Sequence, residues 1–161
     1  MAQPTLLTMF FYGTLKRGHA NHERFCRGYL RVEEATVRGW LYDLHFGYPA
    51  LVVDEMDVRA VGTANPKRDA SEQRSSALVG TSPPDGPRVS GELFTFDDPE
   101  ERLPALDVLE GFDPAVASSP YRRVLIPVET AGGPVLAWAY VVERSSGVYL
   151  PGGRWPTRPL L

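Results

Sequence analysis

Residues 6–18 read Leu-Leu-Thr-Met-Phe-Phe-Tyr-Gly-Thr-Leu-Lys-Arg-Gly. The run from Leu6 to Tyr12 is apolar but for Thr8 and of strand length, which predicts a strand covered on both faces rather than one alternating between core and solvent. It then breaks abruptly. A hairpin would continue through Asn-Gly or Asp-Gly into a second strand. Here Tyr12-Gly13-Thr14-Leu15 leads into two cations and a helix-like stretch from Ala20 to Arg27, with Gly28 as its stop. Gly13, Thr14 and Leu15 therefore offer consecutive backbone N–H groups where strand pairing ends. If the chain curls there, they form a small nest suited to a carboxylate, and Gly13 gives backbone and ligand room. The plainer alternative is a tight corner whose amides are satisfied by water or by neighbouring strands.

Working outward, Tyr29 to Leu44 alternates as one bent strand or two short ones, with Gly39 at the bend. Tyr48 to Val53 reads as a further strand. From Asp54 to Arg88 the chain turns polar and rich in Pro, Ser and Gly, so we expect a mobile surface insertion within a single 1–161 domain. Val89 to Phe96 alternates as a strand again. Asp97 or Asp98 is placed to cap a helix that opens on Pro99, carries Glu100 and Glu101 in its first turn and stops at Gly111. Pro104 should kink or restart that helix. Tyr121–Val128 and Val135–Val142 read as two strands joined near Gly132-Gly133, and the tail from Ser145 as irregular. Strands outnumber helices, which predicts an α+β domain: a curled sheet or small mixed β-barrel flanked by short helices.

The 161 residues suffice for one domain with a sizeable core, and the 43% hydrophobic and 23% charged shares are ordinary for a globular protein. A net charge of −3 gives no reason to expect nucleic-acid or membrane-surface binding. Cys26 is the single cysteine, which excludes an intrachain disulfide and favours a reducing compartment. The N-terminus lacks a basic region before its apolar run, and no segment reaches the ~20 apolar residues of a membrane span. A cytoplasmic location is expected. Oligomeric state is not legible.

Several familiar chemistries fail on spacing. His19, His22 and His45 are the only histidines and have no HExxH or Cys-pair context, so no metal is expected. Gly13 and Gly18 bracket Lys16, but no Gly-Lys-Ser/Thr follows, and no GxGxxG occurs. Cys26 has no base nearby in sequence and reads as a structural thiol. The segment Leu106-Asp107-Val108-Leu109-Glu110-Gly111 is less ordinary. Asp107 and Glu110 share a helix face, and Glu110 stands at the helix C-terminus, where the macrodipole disfavours a carboxylate by about 0.3–1 kcal/mol.

At these residues the chain resembles the gamma-glutamylcyclotransferase-like family, which includes gamma-glutamylamine cyclotransferases and relatives of plant avirulence-induced proteins. The matching pieces are Phe10–Gly18 with Asn21-His22, Tyr48–Val52, Val89–Phe94, Leu106–Gly111, Tyr121-Arg122-Arg123 and Ala137–Tyr140. They occur in the family's order. The long Asp54–Arg88 insertion and the Pro-rich tail depart from its pattern.

The resemblance implies a small β-barrel with a site at one mouth and a reaction that needs no cofactor. It implies that Tyr12, Gly13, Thr14 and Leu15 line a pocket for a γ-glutamyl group, that Glu110 is the general acid/base, and that Tyr121 lies close by. The implied reaction converts a γ-glutamyl amine or peptide to 5-oxoproline with release of the amine. Burial is expected to raise the pKa of Glu110. Asp107 is expected to cap or pack locally, and Lys16 and Arg17 to be solvated. Alternatives are a non-catalytic small-acid-binding module of the same fold, or an enzyme processing another γ-glutamylated metabolite.

Overall fold

A computed structural model describes residues 5–75 and 86–157. The first strand, β1 (Leu7–Phe11), is covered on both faces, as its largely apolar run requires. Leu7, Met9 and Phe11 enter one core cluster, beneath the helices, while Phe10 and Tyr12 enter a second, inside the barrel. This alternation sets the architecture, because β1 belongs to a sheet that curls around one core and carries helices over the other.

The remaining strands are β2 (Arg31–Arg38), β3 (Trp40–Asp43), β4 (Pro49–Val52), β5 (Ala60–Val61), β6 (Arg88–Phe96), β7 (Arg122–Thr130), β8 (Gly133–Val141) and β9 (Val148–Tyr149). They order as β2-β6-β1-β8-β7-β5, and a β2–β7 pairing at Thr36 and Glu129 closes five of them into a barrel. β1 runs antiparallel to β6 and parallel to β8. Small residues on the inner wall, among them Ala35, Ala137 and Ala139, suit so narrow a barrel. Past Gly39 the chain leaves β2 for a second sheet, β4-β3-β9, and β5 pairs with β7 at Val124 and Leu125.

Among the described residues three helices lie outside: α1 (His22–Phe25), α2 (Pro66–Ser75) and α3 (Pro99–Glu110). α3 opens on Pro99 and ends at Gly111, whose φ of 71° is left-handed. The Gly111 amide donates to the Val108 carbonyl and that of Phe112 to the Asp107 carbonyl, so the last turn is closed in Schellman fashion. Leu103 and Leu106 are fully buried beneath it.

Four expectations change. α3 is not restarted at Pro104 but runs unbroken through it, and Pro104 faces solvent. Asp98 takes the N-cap position, but its carboxylate binds Arg102 rather than the helix amides. The tail beyond Ser145 is not wholly irregular, since β9 pairs with β3. Within Asp54–Arg88, expected to be loop throughout, residues 54–75 hold a short 3-10 turn, β5 and α2. The Asn65 side chain caps α2 through the Arg68 amide, and Asp69 and Ala70 are buried. Residues 76–85 of that segment lie outside the described residues. Among the described residues no helix is long and apolar enough to cross a membrane.

Candidate active site

The residues singled out in the sequence come together at one mouth of the barrel. β1 and β8 run parallel and end there, and β7 begins there. A cavity of about 460 Å³ is lined by Tyr12, Gly13, Thr14 and Leu15 from the end of β1, Glu110 from the end of α3, Tyr121 just before β7, and Tyr140 of β8.

The loop at Gly13 is held from behind through its carbonyls. Gly13 O accepts from the Lys16 amide and Thr14 O from the Asn21 amide, while Leu15 O faces His22 Nδ1 at 3.1 Å and accepts from the Cys26 thiol. In a trans peptide the N–H points opposite to the preceding C=O. Tying the carbonyls of Gly13 and Thr14 therefore turns the amides of Thr14 and Leu15 the other way, at the cavity wall. Among the described residues the amides of Gly13, Thr14 and Leu15 donate to no hydrogen bond within the protein. Gly13 is required for a different reason than expected: a Cβ there meets the Pro49 ring at 2.8 Å, so the loop lies against β4.

The site also contains residues that sequence reasoning missed. Asn21 Nδ2 donates to Thr14 Oγ1 at 2.9 Å, leaving the Thr14 hydroxyl proton free for another partner. Its position in the Asn21-His22 match was the available signal. Arg123 is fully buried and reaches Asp107 through Nε at 2.8 Å and Asp69 through Nη1 at 2.9 Å. Its guanidinium lies over the Trp138 and Phe112 rings. The Tyr140 hydroxyl donates to Asp107 Oδ1 at 2.6 Å. Asp107 thus packs locally, as expected, and anchors the last turn of α3. A buried arginine has no periodicity signature, so only its place beside Tyr121 marked it.

Glu110 makes no hydrogen bond or ion pair among the described residues, although its carboxylate is only partly accessible. Burial pushes its pKa up from 4.5 to about 7. The phenols around it differ in character. Tyr12 donates to the Tyr140 carbonyl at 2.6 Å, Tyr121 to the Pro49 carbonyl at 2.8 Å, and Tyr140 to Asp107. Burial raises all three phenol pKa values, and the nearby Glu110 charge raises them further. Their protons are committed, so Glu110 is the group in this cavity free to exchange one near neutral pH.

Other candidates lie elsewhere. Lys16 and Arg17 line a separate cavity of about 510 Å³, Arg17 paired with Glu92 at 2.8 Å and Lys16 donating to the Trp155 carbonyl. It is the larger cavity and is lined also by His19, Glu34 and Glu129, but the loop from Gly13 to Leu15 and Glu110 line the other one. Cys26 is buried and its thiol is pushed up to about 12, which leaves it an inert packing group. Among the described residues no cluster of His, Cys, Asp or Glu is arranged to hold a metal ion.

The fold is that of a gamma-glutamylcyclotransferase-like barrel. Residues 9–65 and 68–157 match the family described as gamma-glutamyl cyclotransferase, AIG2-like, and the chain belongs to that family. The gamma-L-glutamyl-butirosin B gamma-glutamyl cyclotransferase of Niallia circulans is 27% identical over 137 residues, which cover 84% of this chain and 67% of that protein. Among solved structures, YkqA from Bacillus subtilis superposes with a TM-score of 0.57 at 20% identity, covering 93% of this chain and 39% of YkqA. An AIG2-like protein from Mus musculus superposes with a TM-score of 0.54 at 19% identity, covering 88% of this chain and 80% of that one. These structural likenesses establish the fold.

Proposed function

We propose that the protein converts a γ-glutamyl amide to 5-oxoproline, with Glu110 shuttling the proton. The observation that carries this reading is a single unpartnered carboxylate, raised to about 7, in a cavity that also presents the free amides of Gly13, Thr14 and Leu15.

The chemistry follows from the groups present. The substrate α-carboxylate sits against the loop amides and the Thr14 hydroxyl. Its α-amine attacks its own γ-carbonyl, closing a five-membered lactam, and the C–N bond to the leaving amine breaks. Nucleophile and electrophile belong to one molecule, so the site mainly holds it folded, an orientation effect that reaches ~7–11 kcal/mol in favourable cases. Glu110 takes the proton from the attacking nitrogen and returns it to the departing one. A carboxyl that titrates near neutral pH suits both halves of that task. The Tyr121 oxygen keeps lone pairs with which to accept from the α-ammonium and orient it.

Incubation with γ-glutamyl amides and γ-glutamyl dipeptides, followed by assay for 5-oxoproline, tests the proposal. Glu110→Gln should lower the rate by about 10²–10⁴-fold with the fold intact. An unchanged rate in that variant removes Glu110 from the mechanism. Tight binding of γ-glutamyl compounds with no oxoproline from any of them would favour a binding module instead.

A further inference from the structure

Beyond the γ-glutamyl head, the cavity has a second half, and its walls differ from the rest of the surface. Among the described residues lining it, Glu110 is the one charged side chain; no Lys, Arg, His or Asp takes part. The outer wall is made by Tyr48, Pro49, Val108, Leu109 and Pro120. Val108 is 82% exposed and Tyr48 42%, with the 77% exposed Phe46 ring 6.2 Å from that of Tyr48. An exposed position next to a helix terminus ordinarily carries a polar residue. Here apolar side chains from two separate elements gather around a concave opening, the arrangement of a ligand-contacting rim. The bareness of charge is local, for the cavity at Lys16 and Arg17 also holds Glu34, Glu92 and Arg154.

We propose that this rim selects the leaving group, and that the amine released carries an apolar substituent with no further charge, aromatic or branched aliphatic, and is not an amino acid, a peptide or a polyamine. The inference rests on the cyclotransferase reading and adds the substrate class to it. An amino acid or peptide leaving group brings a carboxylate to a wall that has no cation to receive it and one anion to repel it. A polyamine brings an ammonium that pairs with Glu110, holds it ionised and removes the proton affinity that suits it to catalysis. An apolar amine does neither; it covers Tyr48 and Val108 and excludes water from Glu110.

The test compares 5-oxoproline formation from the γ-glutamyl conjugates of benzylamine, isobutylamine, glycine and 1,4-diaminobutane. The benzylamine and isobutylamine conjugates should exceed the other two in kcat/KM by on the order of tenfold or more, the discrimination apolar contacts supply. Equal or faster turnover of the glycine or diaminobutane conjugate overturns the proposal. If no conjugate releases 5-oxoproline, the cyclotransferase reading fails. The rim is then judged by calorimetric binding of the same compounds: tighter binding of the benzylamine conjugate supports it, and equal or weaker binding overturns it. Val108→Lys, at a position exposed enough to spare the fold, should narrow the preference of benzylamine over glycine. An unchanged ratio in that variant also counts against the rim.

Discussion

Tyr140 and Asp107 are joined by a 2.6 Å hydrogen bond from phenol to carboxylate, and Asp107 precedes Glu110 by one turn of α3. The carbonyl of the same Tyr140 accepts the Tyr12 hydroxyl. One residue of β8 therefore ties the strand that carries the amide loop to the helix that carries the carboxylate. Tyr140→Phe removes that tie while leaving the ring. It should cost about 1.5–3 kcal/mol, as expected for a hydrogen bond to a charged group, and lower kcat more than it changes KM. Urea titration and steady-state kinetics measure both.

Arg123 is the opposite partner of Asp107 and also holds Asp69. Arg123→Met leaves buried carboxylates without their cation. Such a change should destabilise by about 3–5 kcal/mol, in contrast to the small effect of breaking a surface pair such as Lys67–Glu100. Thermal or urea unfolding of Arg123→Met and Lys67→Met side by side checks the contrast, and similar losses would refute it.

Gly13→Ala places a methyl group 2.8 Å from the Pro49 ring. The loop must move outward, so its amides lose their placement. We expect KM to rise, with a stability cost of about 1–3 kcal/mol from overpacking. A variant with wild-type KM would show that the loop amides do not hold substrate.

Glu110 sets a pH dependence of stability. Its folded pKa, about 7, lies above the ordinary 4.5, so the folded state binds the proton more tightly than the unfolded one. That contribution is complete below about 4.5 and is lost as pH rises towards 7. Allowing for solvent that reaches the carboxylate through the cavity, it amounts to roughly 1–3 kcal/mol. Unfolding free energies of the wild type and Glu110→Gln, measured between pH 4 and pH 8 on the same scale (~0.5 pH steps suffice), should diverge in slope through this window. Parallel curves would contradict it.

On the proposed mechanism the same group governs rate. With Glu110 as the base, kcat/KM should fall on the acid side with an apparent pKa near 7. A limb near the value of an exposed carboxyl would mean that a different group titrates. Rate profiles of wild type and Glu110→Asp distinguish the two.

Much of this was legible in local sequence, for local reasons. A largely apolar run marked β1 as covered on both faces, Pro99 and Gly111 bracketed α3, and Gly39 marked where β2 gives way to β3. α2 was not legible because Pro66–Ser75 is polar almost throughout. What makes it pack is a buried carboxylate, Asp69, that meets its cation 54 residues away. Composition penalises such a residue as solvent-seeking, and its partner is invisible until the chain is folded. For the same reason Arg123 was legible only as part of the Tyr121-Arg122-Arg123 match.

By itself the sequence determined the longer strands, the break at Tyr12-Gly13 and the oddity of a glutamate at a helix C-terminus. Those are matters of backbone preference and side-chain periodicity within a few residues. Only the tertiary structure decided that the break and the glutamate face one cavity, that the cations after Leu15 line another, and how far burial raises the Glu110 pKa. The shift in particular belongs to no residue alone. It arises because the folded chain buries the carboxylate at the barrel mouth and, among the described residues, supplies no partner in its place.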